Sequence, residues 1–432
     1  MRLLEIFKEI TNIPRCSGNH KYFIEFMKNF AKSNNYLCQI DSENNILCFK
    51  DNKNITLSLQ SHYDIVCLEE NKIPEIYEED GYLKAKDSTL GADNGIGCAY
   101  MLYLMEENSN CEFLFTCDEE IGLIGANNIT HKLKSKYMLN LDSEALGEIA
   151  IGCAGGVDIY GINKKSSYVE NIDNKTLYEI TIDNLEGGHS GIDIDKNIPN
   201  AIKLLAKTIK ESNADILDIN GGERTNSIPK YTKAIIAVDK DIVPLASHKN
   251  MKIEKVDAET QHYKKLDDNI KDFLYIFSNG VRGYDSELGV VLSSINLSTI
   301  TNTLDGIKIE LSARSMCNDE LEILKKESVA LFEHFDFEVT INGKLPAWKP
   351  VKNDFITIVH KVYEKHIKGS TINAIHAGLE CAVFKSKYPD IQICSIGPNI
   401  YFPHSTREEC DISSVFKVYN VIKDIIDEVE KC

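Results

Sequence analysis

Three short apolar runs, each followed within a few residues by an acid or a histidine, constrain this chain more than any other feature. Residues 55–60 (ITLSLQ) lead into His62 and Asp64, 112–117 (EFLFTC) into Glu119 and Glu120, and 137–141 (YMLNL) into Asp142. Runs this short and β-rich read as buried strands of an α/β sheet. Ligands of such sheets gather beyond the carboxyl ends of the strands, so the polar residues that follow converge on one rim. Asp93 in a glycine-rich loop and a late His404 complete an ordered set of five acids and two histidines. Carboxylates brought together in a buried place repel one another unless cations sit between them. Two imidazoles with four or five carboxylates suit a pair of zinc-like ions. The spacing points to a two-metal hydrolase.

At 432 residues the chain is longer than a single core usually supports, so two domains are expected. Up to about residue 155, helix-like and strand-like segments alternate, with strands near 36–41, 44–50, 55–61, 112–117 and 137–141. Residues 91–106 read as a Gly-rich loop opening a helix. From about Val157, strands rich in Lys, Asn and Asp alternate with amphipathic helices near 199–212 and 319–335, the pattern of a separate α+β layer. Trp348-Lys349-Pro350 reads as a hinge, followed by a helix over 351–366, a short buried strand over 391–396 and a closing helix over 412–429. Because His404 lies in this last stretch, the second domain is expected to be inserted into the first. The fold class expected is α/β: a mixed sheet sandwiched by helices, built from 1–156 and 351–432, with an α+β domain inserted at 157–350.

A formal charge of −18 argues against a nucleic-acid partner and an anionic membrane surface. No apolar stretch approaches the roughly 20 residues of a membrane span, and the opening MRLLEIFKEI has acids where a signal peptide has its apolar centre. Thirteen cysteines include no Cys-x-x-Cys pair, and Cys67, Cys98, Cys117, Cys153 and Cys394 lie in apolar surroundings. They read as small buried hydrophobes in a reducing cytoplasm, without a disulfide framework.

Each candidate residue has a plain reading when taken singly. His62-Tyr63-Asp64 places His62 and Asp64 on one side of an extended chain, where the acid can hold the other ring nitrogen of a ligand histidine. Asp93 could simply cap a helix. Its setting, 87–97 (DSTLGADNGIG), resembles a phosphate loop, but no Lys-Ser/Thr follows and an acid there repels phosphate. A carboxylate on a Gly-flanked loop suits bridging between two cations. Cys117-Asp118-Glu119-Glu120 could be a solvated acidic turn; alternatively one glutamate ligates metal while its neighbour serves as general base. The ordered set is far less expected by chance than any of its members.

That set resembles the co-catalytic zinc metallopeptidases that include aminoacylases, carboxypeptidases and dipeptidases. Local motifs resemble, more closely, their aminoacyl-histidine (cytosolic non-specific Xaa-His) dipeptidase subfamily: 89–97 (TLGADNGIG), 152–156 (GCAGG), 187–191 (GGHSG), 376–381 (HAGLEC), 395–398 (SIGP) and Pro403-His404-Ser405. The likeness spans nearly the whole chain. It implies that His62, Asp93 and Asp142 hold one zinc and Asp93, Glu120 and His404 the other, with manganese or cobalt as substitutes. It further implies that Asp64 orients His62, that Glu119 is the catalytic base and that the peptide after Asp93 is cis. The inserted domain becomes a lid and dimerisation domain, so a homodimer is expected, with His189 polarising the scissile carbonyl. Asn226, Arg314 and His376 fall at substrate-side positions, Arg314 being suited to a C-terminal carboxylate. The expected activity is hydrolysis of unblocked dipeptides, Xaa-His included. Deacylation of N-acyl amino acids or cleavage of tripeptides are alternatives on the same metals, and a metal-binding interaction protein is the non-enzymatic one.

Overall fold

The computed structural model describes residues 2–51, 54–69, 72–168, 174–256, 264–286 and 289–431. They form two compact units, the first from Met1–Cys153, Trp348–Ala374 and Leu379–Cys432, the second from Ala154–Ala347 and Ile375–Gly378.

The first unit is organised by an eight-stranded mixed sheet. Its order is Leu37–Ile40, Ile46–Phe49, Glu112–Thr116, Leu57–His62, Tyr137–Asn140, Gln392–Ser395, Glu148–Cys153 and Thr371–Ile375. Leu57–His62 runs parallel to both neighbours. All six of its residues are buried, which is why it shows no alternation: a parallel strand covered on both faces needs apolar or hydrogen-bonded residues throughout. Helix Ala92–Glu106 packs on this strand and against helix Arg2–Thr11, while helix Asp354–His366 packs on Gln392–Ser395 and against helix Ile412–Val429. Phe7, Tyr100, Phe113, Phe115, Phe355 and Ile422 belong to the core so formed. Burying one such side chain stabilises by roughly 1.5–3 kcal/mol. A smaller sheet, Ile400–Tyr401, Glu409–Asp411, Tyr82–Lys86 and Glu75–Glu79, ties the end of the chain to its beginning.

The second unit has a nine-stranded antiparallel sheet on which helices Ala201–Glu211, Asp268–Ile276 and Asn318–His334 pack. Here the strands do alternate: Gly155–Asn163 is buried at every second residue, as a sheet with one face on a core requires. Gly161 on that strand lets Phe332 lie against the backbone, since a Cβ there would stand 2.4 Å from the ring. Phe332 in turn stacks on Phe273 at 4.5 Å.

Helix ends follow local chemistry. The Asn200 side chain caps Ala201–Glu211 by accepting from Lys203 N, and the Asp411 side chain caps Ile412–Val429 by accepting from Ser413 N. Among the described residues no helix is long and apolar enough to cross a membrane.

One expectation is corrected. Cys67 is not a free buried thiol; it is bonded to Cys16. Residues 15–17 run beside 63–67, with Ile65 N donating to Arg15 O at 3.1 Å and Ser17 N to Ile65 O at 3.4 Å. That pairing brings the two Cα atoms to 5.6 Å, a separation a disulfide spans without backbone movement. Cys98, Cys117, Cys153 and Cys394 are free and buried.

Candidate metal centre

Parallel register levels the strand ends of the first unit. His62 pairs with Thr116 and Gln60 with Asn140, so the residues just beyond each strand share one rim. His62 closes its strand, the turn after Thr116 carries Glu119 and Glu120, and Asp142 follows Asn140 by two residues. Asp93 enters from a non-helical turn at the start of Ala92–Glu106, where Gly91 is left-handed at φ 67° and the Asp93–Asn94 peptide is cis. His404 comes from the loop between Ile400–Tyr401 and Glu409–Asp411 and is itself left-handed at φ 60°.

The five proposed ligands meet in pairs. Asp93 Oδ1 lies 3.2 Å from His62 Nε2, and its Oδ2 lies 3.0 Å from His404 Nε2. His62 Nε2 also stands 3.2 Å from Asp142 Oδ1, and His404 Nε2 stands 3.0 Å from Glu120 Oε2. One carboxylate thus spans two imidazoles, each of which has an acid of its own. Asn94 donates from its side chain to Asp142 Oδ1.

Asp64 is fully buried, and its carboxylate accepts from Ser17 Oγ at 2.8 Å, Glu119 N at 3.1 Å and Glu120 N at 3.4 Å. His62 Nδ1 makes its short contact, 3.0 Å, with the Asp64 backbone carbonyl; the carboxylate is 3.6 Å away. The side chain of Asp64 therefore holds the Glu119–Glu120 turn more closely than the ring, because those amide donors engage it first.

Burial disfavours a charged His62, yet Asp142, Asp64 and Asp93 together hold its pKa well above the usual imidazole range. Burial pushes Glu119 well up as well, with Asp142, Glu120 and Glu380 adding to the rise. Burial likewise raises Glu120 and Asp142. Asp93 and Asp64 fall instead: bonds to His404 and His62 overcome the burial of Asp93, and bonds to His62, Ser17 and the Glu119 amide overcome that of Asp64. Carboxylates raised by crowding and histidines raised by those carboxylates mark a field that draws cations. Glu120 Oε1 is also buried without a hydrogen-bond partner. An oxygen-and-imidazole donor set with an unused buried oxygen fits divalent ions of the zinc class.

Three further carboxylates are missing from the sequence reading. Glu408 accepts from four consecutive amides, Leu90 N, Gly91 N, Ala92 N and Asp93 N, at 2.8, 3.1, 2.8 and 3.3 Å. It fixes the turn that presents Asp93. Glu380 is buried between Gln60 Nε2 and Thr116 Oγ1 at 2.6 and 2.7 Å, and burial pushes its pKa up to about 8. Glu144, raised to about 8, is pushed up first by burial and then by Asp93 and Asp142. Glu380 lies within the 376–381 motif and Glu144 two residues beyond Asp142, but no local signal distinguishes Glu408 from an ordinary surface acid.

His189, Asn226, Arg314 and His376 all lie in the second unit. His189 Nδ1 accepts from Gly191 N and Ile192 N at 3.2 and 3.1 Å, so its ring proton sits on Nε2. Ser190 N donates to the Asn226 carbonyl at 2.8 Å, across the short pairing of Gly188–His189 with Ser227–Ile228. A Cβ on Gly191 would stand 3.1 Å from His189 Cε1, 3.2 Å from Arg314 Cδ and 2.3 Å from His376 O, so these three residues converge on one glycine. His376 Nε2 contacts Ser294 Oγ at 2.8 Å. Burial, aided by the charge on Arg314, lowers both histidines to about 4. Arg314 Nε is buried without a partner.

Known proteins resemble this chain along its whole length. A family model described as Peptidase family M20/M25/M40 matches residues 58–428. The cytosol non-specific dipeptidase of Escherichia coli (strain K12) is 31% identical over 473 residues, covering 99% of this chain and 97% of that protein. The crystal structure of aminoacylhistidine dipeptidase from Vibrio alginolyticus superposes with a TM-score of 0.85 at 26% identity, covering 99% and 96% of the two chains. A tripeptidase from Staphylococcus aureus shares the fold at a TM-score of 0.61 and 18% identity, covering 100% of this chain and 98% of that one.

Proposed function

Because the chain belongs to peptidase family M20/M25/M40 and is a peptide hydrolase, we propose that it is a dinuclear metallo-dipeptidase that hydrolyses unblocked dipeptides, those with C-terminal histidine included. The observation that carries this reading is the Asp93 carboxylate between His62 and His404, at 3.2 and 3.0 Å. His62, Asp93 and Asp142 would hold one divalent ion and Asp93, Glu120 and His404 the other, zinc in the first instance with manganese or cobalt as substitutes. When bound, such a pair polarises the scissile carbonyl and brings the pKa of water towards ~7.

The remaining steps belong to the protein. Glu119 is assigned as the general base; burial raises its pKa from the ordinary carboxylate range, the direction such a base needs. It takes the proton of the attacking water and passes it to the leaving amine. Asp64 keeps Glu119 and Glu120 in place through their amides. The Nε2 proton of His189 is assigned to the developing oxyanion, Arg314 to the free carboxylate of the dipeptide, and Asn226 and His376 to the substrate side. The second unit is assigned the roles of lid and homodimer interface. A cytoplasmic location is supported by the name of the Escherichia coli relative.

The test is amine release by metal-loaded protein from β-Ala-His, Gly-His, Leu-Leu, a tripeptide and an N-acetyl amino acid, with a chelator-treated control. Chelator-sensitive cleavage of the dipeptides alone is expected. Cleavage of the acetylated substrate alone, or of the tripeptide alone, moves the protein to the deacylases or tripeptidases. No turnover by the fully loaded protein leaves a metal-binding interaction protein.

A further inference from the structure

A second group of donors stands beside the catalytic turn, and nothing in the mechanism uses it as a ligand set. His20, Cys117 and Asp118 each present one ligand atom, and these atoms all lie within 4.8 Å of one another. His20 Nε2 is 3.1 Å from Asp118 Oδ2. Two ligands on one tetrahedral ion at about 2.0–2.1 Å stand roughly 3.3 Å apart, so this pair already has the spacing.

The surroundings hold the donors in place. Gly18 N donates to Asp118 Oδ1 at 2.6 Å, which leaves Oδ2 turned to His20. Asp118 itself is left-handed at φ 52°, a conformation that costs free energy in a non-glycine residue and persists only where neighbours enforce it. Tyr63 meets the His20 ring edge-on at 5.9 Å. His20 presents Nε2 to Asp118, while its other ring nitrogen, Nδ1, is buried without a hydrogen-bond partner. His20 also lines a cleft of about 600 Å³ together with Gly18, Asn19, Lys21, Glu25 and Lys28, so the cluster meets solvent at its histidine. The Cys117 thiol now donates to the Glu43 carbonyl at 2.8 Å; an ion takes the place of that proton. Asp118, Asp64, Glu380 and Asp41 make the potential around the sulfur negative.

We propose that His20, Cys117 and Asp118 form a separate binding site for one divalent cation of the zinc class, clamping the 15–20 loop to the turn that carries Glu119 and Glu120. One imidazole, one thiolate and one carboxylate match the borderline softness of zinc or cobalt and disfavour magnesium or calcium. Binding exchanges the thiol proton for the ion, with no redox step. The site is independent of the proposed peptidase centre, whose ligands include no sulfur.

That difference supplies the test. Cobalt(II) is titrated into the apo-protein with no reductant present, so that Cys16 and Cys67 stay joined, and the near-ultraviolet spectrum and metal content are recorded. The expected result is a thiolate-to-cobalt charge-transfer band that saturates with one ion more than Cys117→Ser binds; that variant lacks the band. His20→Ala, altered at the cleft edge, also loses this ion and serves if Cys117→Ser fails to fold. No band in the unmodified protein, or a band of undiminished strength in Cys117→Ser, overturns the proposal. Neither outcome depends on whether the peptidase centre turns over substrate.

Discussion

Glu119 and Glu120 are neighbours in sequence with opposite surroundings. Glu120 Oε2 reaches His404 at 3.0 Å, whereas Glu119 is raised by burial and by acids on several sides. Glu119→Gln is therefore expected to retain both ions while losing activity by about 10²–10⁴, the share a general base contributes; Glu120→Ala is expected to lose an ion. Metal analysis beside kcat separates the two, and loss of metal from Glu119→Gln reverses their roles. The candidate ligands stood out because strand ends concentrate polar chemistry: His62, Glu120 and Asp142 follow apolar runs, while Asp93 was marked by its Gly-rich loop and His404 by its place in the ordered set. Glu408 was not legible. It acts on amides 315–318 residues away, and a carboxylate that serves a distant backbone leaves no mark in its own neighbourhood.

At the scale of elements, glycines decide how closely parts approach. A Cβ on Gly97 would stand 2.0 Å from Asn94 Oδ1 and 2.6 Å from Ser61 Oγ, and Asn94 is the residue that holds Asp142. Gly97→Ala is expected to destabilise by about 1–3 kcal/mol, the usual cost of overpacking, and to weaken metal binding; thermal melts with and without added zinc read both effects. In the second unit the Gly191 turn makes a pH prediction. His189 and His376 titrate near 4 when folded and near 6.5 when unfolded. Between those values the unfolded chain binds protons that the folded one refuses. Stability is thus full above pH 6.5, falls as pH drops towards 4 and levels below it. Denaturation of the second unit at stepped pH should show the slope, and His376→Gln should reduce it. Helices 412–429 and 199–212 could be read almost to the residue because their amphipathic period and caps are local. The Cys16–Cys67 bond could not, since it depends on 15–17 lying along 63–67.

Across the whole molecule, every proposed ligand belongs to the first unit. An ion that binds only the folded state stabilises it by RT ln(1 + [L]/Kd), about 4 kcal/mol at a thousandfold excess over Kd. Chelation should therefore lower the melting of the first unit and spare the second. Trp348, the chain's single tryptophan, is 4% exposed and lies in the first unit, so its fluorescence follows that transition while circular dichroism follows both. An unmoved fluorescence transition on metal removal argues that the ions bind elsewhere. The inserted second unit also separates Asp142 from His404 and Glu408 along the chain. A ribosome adds about 5–20 residues per second, so a nascent chain waits on the order of tens of seconds with His62, Asp93, Glu120 and Asp142 made and their last partner still unwritten. Translation itself thus orders the assembly of the proposed site: the rim of acids is made first, and the second imidazole reaches it only after the whole inserted unit has been synthesised.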